Sequence, residues 1–284
     1  HRHADPAALR QAVGEGAPAP RAVLATTGTP AEALALVRDW TAAGPLDGVT
    51  LVLATHGAAA VGGEAPDAAQ AAVWGLVRAA QSEHPGRFLL VDLDPAADAE
   101  PEWAALLGLD EPQLAVRAGK VLAPRLARFP AAADGARALD PDGTVLVTGD
   151  FGARFAEHLI ARHGARHLVL AVAPEQADAL VAELAPLGDR LRVAPCDLAD
   201  RSQLAAVVAG LAHPLTAVVH AAGAPDAGLV ETLTPERLAA VLRATVEPAR
   251  HLHELTADAD LAAFVLCSAF EGLAGIPGQA ARSA

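Results

Sequence analysis

Residues 143–152 read Gly-Thr-Val-Leu-Val-Thr-Gly-Asp-Phe-Gly, a β-branched apolar run that enters a glycine-bearing turn and leads into helix-forming residues. A buried strand that turns through glycines into a helix opens a βαβ unit, and it commits the chain around it to a parallel sheet with crossover helices. In a dinucleotide-binding unit of this kind the glycines allow the tight bend, let the backbone approach a pyrophosphate, and let the helix pack on the strand. Gly149 and Gly152 are present. Where a third glycine would follow stands Phe155, whose ring is expected to push the first helical turn away from the sheet. Asp150 adds a carboxylate at the helix end whose N–H groups would attract phosphate, and Arg154 offsets part of that charge.

The same alternation runs through the rest of the chain. Strands are predicted over 22–25, 49–54 and 88–93, helices over 31–42 and 67–82, and a hairpin over 113–117 and 120–126 that turns at Ala118-Gly119. After a Pro- and Ala-rich connection over 127–142, strands follow at 144–148, 167–172, 191–194, 216–221 and 263–268. The helices between them cover 153–163, 174–185, a segment opened by Asp200, and 234–256 with a kink expected at Pro248. The fold class is α/β, with two parallel, doubly wound sheets. Residues 1–16 read as a linker, 17–130 as one unit and 131–284 as another, which is expected to be incomplete at its C-terminal side.

Composition narrows the chemistry. Of 284 residues 52% are hydrophobic but only 3% aromatic, so the core must be built from Ala, Val and Leu. A net charge of -13 argues against partners made of nucleic acid or anionic membrane. Cys196 and Cys267 lack metal-ligand spacing and suit a reducing, cytoplasmic setting; no run is apolar enough to span a bilayer. There is no Met and the first residue is His1, which reads as an internal piece of a longer polypeptide. There is no Tyr, and the only lysine is Lys120.

Several stretches in order carry a resemblance. They are 72–78 (Ala-Val-Trp-Gly-Leu-Val-Arg), 81–88 (Gln-Ser-Glu-His-Pro-Gly-Arg-Phe), 121–126, 143–149 and 196–201 (Cys-Asp-Leu-Ala-Asp-Arg). Those at 218–223 (Val-Val-His-Ala-Ala-Gly), 233–238, 251–256 and 277–280 (Pro-Gly-Gln-Ala) complete the set. The chain resembles the ketoreductase domain of modular polyketide synthases, within the short-chain dehydrogenase/reductase superfamily. The resemblance implies two Rossmann-like subdomains, the first structural and the second of catalytic type.

The resemblance also implies carbonyl reduction with hydride from NADPH, a proton from a tyrosine, a lysine that lowers the phenol pKa, and a serine that polarises the ketone. Carried onto this chain, the lysine position is Thr245, the serine position Ala269 and the tyrosine position Arg282. Ser268, beside Ala269, is expected to point to the other side of a strand. An arginine stays protonated and cannot donate that proton. The family's serine and arginine clamp for the 2'-phosphate is replaced by Ala171, Val172, Ala173 and Pro174, and its stereochemical acidic motif shrinks to Pro225, Asp226 and Ala227. Gly149, Gly152 and Asp197 remain as vestiges of cofactor binding, with Asp197 reading either as the adenine contact or as a cap or turn residue.

The expected function is a redox-inactive, structural pseudo-domain that leaves a β-keto group unreduced. It is expected to use no NADPH and to have neighbouring synthase domains and an acyl carrier protein as partners. The alternatives are a redox-independent epimerase of 2-methyl-3-ketoacyl carrier-protein thioesters, a working NADPH-dependent reductase, or a binding module whose vacated cleft holds a partner protein. No metal is expected, since His251 and His253 at i and i+2 do not share a helix face. His220 reads as structural, Cys267 as a buried thiol, and Trp40, Trp74 and Trp103 as core residues.

Overall fold

The computed structural model describes residues 6–42, 44–96, 100–128, 137–149, 151–221, 223 and 226–284. Expectations placed on residues 1–5, on the connection at 129–136, and on Asp150, Ala222 and Pro225 lie outside these. Packing divides the chain into two compact units, His1–Arg128 with Asp226–Ala239 and Ala269–Ala284, and Phe129–Pro225 with Ala240–Ser268. This division is interleaved, where the sequence suggested a continuous split at 130/131.

The first unit begins with α1 (Pro6–Gly14), inside the segment expected to be a linker. It is packed there because Leu9 is buried and Arg10 Nη1 donates to Asp39 at 2.8 Å. Then come β1 (Ala22–Thr26), α2 (Pro30–Thr41), β2 (Thr50–His56), α3 (Ala68–Glu83), β3 (Phe88–Leu93), the short α4 (Trp103–Leu106), β4 (Gln113–Arg117) and β5 (Lys120–Leu122). The sheet order is β1-β2-β3-β4-β5, parallel from β1 to β4. β5 returns antiparallel to β4 through Ala118 and Gly119, whose φ values of 47° and 74° match the two positive dihedrals a type I′ turn requires.

Local chemistry fixes the helix starts. The Thr29 hydroxyl accepts from the N–H of Glu32, with Pro30 next to it at the first helical position, and Asp67 accepts from the N–H of Gln70 at 2.9 Å. α2 buries Leu34, Val37 and Trp40, and α3 buries Val73, Trp74, Leu76 and Val77.

One polar network crosses this apolar interior. Trp74 Nε1 donates to Thr55 Oγ1 at 2.8 Å, and Thr55 donates to Asp92 Oδ1 at 2.7 Å. The same fully buried carboxylate accepts from the N–H of Ala58 (2.8 Å) and of Ala59 (3.1 Å), and from Arg117 Nη2 (2.6 Å). With five donors around it, counting Trp74 through Thr55, the carboxylate is paired and hydrogen-bonded as burial of a charge demands.

The second unit contains β6 (Thr144–Thr148), α5 (Gly152–His163), β7 (His167–Val172), α6 (Pro174–Leu184), β8 (Leu191–Pro195), α7 (Arg201–Ala209), β9 (Leu215–His220) and β10 (Ala263–Leu266). α8 (Pro235–Leu255) supplies residues 240–255 to this unit and continues as one helix through Pro248. The sheet is wholly parallel in the order β10-β9-β6-β7-β8. β6 and β7 are buried almost throughout, as strands covered on both faces must be. Strand order reverses between β6 and β9, the place at whose carboxyl side open α/β sheets bind ligands.

After β10 the chain adds α9 (Glu271–Ala274) and α10 (Ala280–Ser283), which belong to the first unit. They lie so close to α3 that a Cβ on Gly75 would stand 1.6 Å from the carbonyl oxygen of Ser283. Among the described residues no helix is long and apolar enough to cross a membrane.

Candidate functional site

At the carboxyl end of β6, Gly149 takes a φ of 92°, a left-handed turn that favours glycine, and its carbonyl accepts from the N–H of Gly152 at 3.0 Å. A Cβ on Gly152 would come within 2.1 Å of Leu170 Cδ1, so the close seating of α5 on β7 depends on that glycine. Phe155 does not push the helix off, contrary to the sequence expectation. Its ring is half-buried against the cluster that holds Val145, Val147, Leu168 and Leu170, because the turn at Gly152 has already set the helix's approach. Phe151 next to the turn is exposed, and among the described residues no side chain caps α5.

Beneath the turn, Thr148 Oγ1 and His220 Nδ1 are 2.6 Å apart and join the ends of β6 and β9. Burial pushes the His220 imidazole pKa down, opposed by the backbone of Thr245. His220 thus bridges the ends of β6 and β9 through Nδ1. His251 is buried and His253 exposed, on different sides of α8.

At the end of β7 the stretch read as a lost phosphate clamp carries no cation. Ala171 and Val172 are fully buried, Pro174 opens α6, and the acid in its first turn is Glu175, which is exposed. The first charged residue after β7 is therefore the carboxylate of Glu175. Beyond β8, Asp197 accepts from the N–H of Ala199 at 3.0 Å and from Arg243 Nη2 of α8 at 2.7 Å. The Arg243 hydrogen bond holds its carboxyl below the usual range. Asp197 thus holds a turn and an ion pair.

The cap of α7 is Asp200. Its carboxyl sits at about 2, first because of the Ser202 hydroxyl and then because of Gln203. A depressed folded-state pKa stabilises fully above the ordinary carboxylate value near ~4 and loses that contribution as the pH falls through the folded value. An NMR pH titration is therefore expected to find the Asp200 midpoint near 2, and Ser202→Ala is expected to move it upward. A midpoint at the ordinary carboxylate value would remove this reading of the cap.

The three positions read as a lost catalytic set carry no acid–base pair. Thr245 in α8 spends its hydroxyl on the carbonyl of Val241 at 2.8 Å, the back-bond common for Thr inside helices. Ala269 is half-buried and follows β10, which ends at Leu266; Ser268 is exposed in the same loop, so strand alternation does not set its direction. Arg282 lies in α10 with Nη2 3.6 Å from Glu271 Oε1. Gly149, Gly152, Asp197 and Thr245 belong to the second unit, and Ala269 and Arg282 to the first.

One thiol differs from the sequence reading. Cys267 is exposed, because it falls just past the end of β10, whereas Cys196 is buried and burial pushes it up to about 11. Glu83, His84 and Glu231 bring ligand-type atoms within 4.8 Å of one another, a grouping their distance along the chain concealed. Both Glu83 oxygens there accept backbone N–H groups, from Val230 at 2.7 Å and Gly278 at 2.8 Å, and His84 Nε2 is 2.6 Å from Glu231 Oε1. The grouping ties α3 to its neighbours in the first unit.

Comparison with known proteins agrees with this architecture. Residues 1–126 match the Rossmann fold domain of the polyketide synthase extender module SpnB, and residues 143–284 match the KR domain. The chain is 48% identical to part of the polyketide synthase GfsB of Streptomyces halstedii, over 97% of this chain and 5% of that protein. A solved C2-type ketoreductase from a modular polyketide synthase superposes with a TM-score of 0.83 at 35% identity, covering 98% of this chain and 66% of that one. The ketoreductase PlmKR1 from the first module of phoslactomycin biosynthesis in Streptomyces sp. HK803 gives 0.80 at 32%, covering 94% and 65%. The chain thus spans about a twentieth of the curated synthase and about two thirds of the solved ketoreductases. Two Rossmann-like parallel sheets, a turn with Gly149 and Gly152 at the reversal of strand order, and these matches place the chain in the ketoreductase-domain family of modular polyketide synthases.

Proposed function

We propose that this ketoreductase-type domain performs no reduction and serves as a structural element of a modular polyketide synthase, leaving the β-keto group of the growing chain intact. The observation that carries the reading is Arg282 at the position of the family's proton donor, in a sequence without tyrosine. Thr245 and Ala269, at the lysine and serine positions, point the same way. The residues present do not fit NADPH. The first charged residue after β7 is Glu175, in place of a cation. Neighbouring synthase domains and the acyl carrier protein are the proposed partners, and the cytoplasm the proposed setting.

The test is to incubate the chain with NADPH and a 2-deuterated 2-methyl-3-ketoacyl thioester. The reading predicts recovery of the ketone with deuterium lost only at the rate seen without protein. A 3-hydroxy product would establish a working reductase, and protein-dependent washout without reduction would establish an epimerase.

A further inference from the structure

A cavity of about 560 Å3 opens in the first unit between the start of β2, the C-terminal half of α3 and the segment that leads into β4. Its size falls among small-molecule sites, which span roughly 300–1,000 Å3. Arg78 of α3 is its most unusual wall residue. Nε of Arg78 donates to Gln113 Oε1 at 2.9 Å and Nη1 donates to the carbonyl of Gly272 at 2.8 Å, while the guanidinium carbon lies 5.2 Å from the centre of the Trp74 ring. All these partners are neutral. Among the described residues no carboxylate comes within ion-pair distance of Arg78, and Nη2 meets no acceptor.

This is a strange omission in a chain with 34 acidic residues against 21 Lys and Arg. Burial pushes the Arg78 pKa down, the consequence of a partly desolvated cation without a counter-charge. A second wall cation, Arg21, reaches only the carbonyl of Leu107, at 3.0 Å, among the described residues. The two wall carboxylates do not serve either arginine: Glu111 is bonded by Arg125, and Asp110 is exposed. The remaining wall mixes the polar side chains of Thr50, Gln81, Ser82 and Gln113 with apolar ones, of which Phe88 and Leu89 are buried and Leu109 is left 48% exposed.

A guanidinium whose Nη2 carries two free N–H groups suits a carboxylate, and an exposed leucine in the same cavity gains from covering by an alkyl chain. From the cavity and this unpaired cation we infer that the first unit binds a small carboxylate with a short apolar body. The acid group bonds Arg78 Nη2 and the body covers Leu109. The tether to Gly272 uses Nη1 and is retained. The inference uses residues of the first unit alone, so its outcome is separate from the reading of the reductase positions.

The experiment is calorimetric titration of the whole chain with hexanoate, hexan-1-ol and acetate, with tryptophan fluorescence to confirm that each variant is folded. The inference predicts saturable hexanoate binding on the order of 1 mM. Hexan-1-ol, without the charge, and acetate, without the body, are each expected to bind about tenfold more weakly. Arg78→Gln is expected to weaken hexanoate about tenfold, and Arg78→Lys less. Because Arg78→Gln also removes the Gly272 tether, Leu109→Glu is the second variant; it keeps the arginine's bonds and is expected to abolish binding. Absence of saturable hexanoate binding, equal binding of hexan-1-ol, or unchanged binding by Leu109→Glu would overturn the inference.

Discussion

Asp92→Ala is expected to destabilise the first unit by roughly 3 kcal/mol, the low end of the cost of removing one partner from a buried charge pair, because Arg117 keeps Glu64 at 2.9 Å. The substitution strips Arg117 Nη2 of its 2.6 Å partner and leaves the Thr55 hydroxyl and the N–H groups of Ala58 and Ala59 without their acceptor. Water cannot readily replace it, since Asp92 and Thr55 are both fully buried. Asp92→Asn keeps one carbonyl acceptor and is expected to cost less. All three tryptophans, Trp40, Trp74 and Trp103, lie in the first unit, so tryptophan fluorescence during urea unfolding reports on that unit alone. An unchanged midpoint for Asp92→Ala would show that the network is not a principal source of its stability.

Gly275→Val is expected to release α9 and α10 from α3. Gly275 has a φ of 67°, where a β-branched residue is strained by about 1–3 kcal/mol. Its Cβ would also stand 2.3 Å from the carbonyl carbon of Arg78 and 2.4 Å from its oxygen, backbone atoms of a helix that cannot rotate away. Overpacking of this sort adds roughly 1–3 kcal/mol. The Ser82 hydroxyl bond to the Gly275 carbonyl, 2.6 Å long, and the Arg78 bond to Gly272 are expected to be lost together. Hydrogen exchange should then show the amides of 271–284 losing protection and trypsin should cut after Arg282, while β6 and β7 stay protected. Wild-type protection over 271–284 would contradict this account of the docking.

The sequence revealed most of the elements because each carried its own local cause. Gly164 ends α5 with a φ of 68°, Asp200 caps α7, and Ala118-Gly119 makes the hairpin turn. These signals act over a few residues, so they survive without knowledge of what packs where. Long-range partners were hidden. The role of Asp92 depends on Thr55 and Arg117, 37 and 25 residues away, and the need for Gly75 and Gly275 depends on segments about 200 residues distant. α1 was missed because Ala and Pro dominate its neighbourhood, whereas its docking through Leu9 and Arg10 is tertiary. At the reductase positions identities were readable from the sequence, but their surroundings were not. The engagement of Asp197 by Arg243, of Thr245 by Val241 and of Arg282 by Glu271 required coordinates. Phe155 was misjudged for the same reason, since the space that receives its ring is formed by β6 and β7 together.

In the proposed function this domain neither grips a reduced nicotinamide cofactor nor offers it a proton donor. Titration of the chain with NADPH, followed by calorimetry and by nicotinamide fluorescence, tests this. No saturable binding is expected up to about 1 mM. Saturable binding at micromolar concentrations, which would require a favourable contact for the 2'-phosphate despite Glu175, would contradict it.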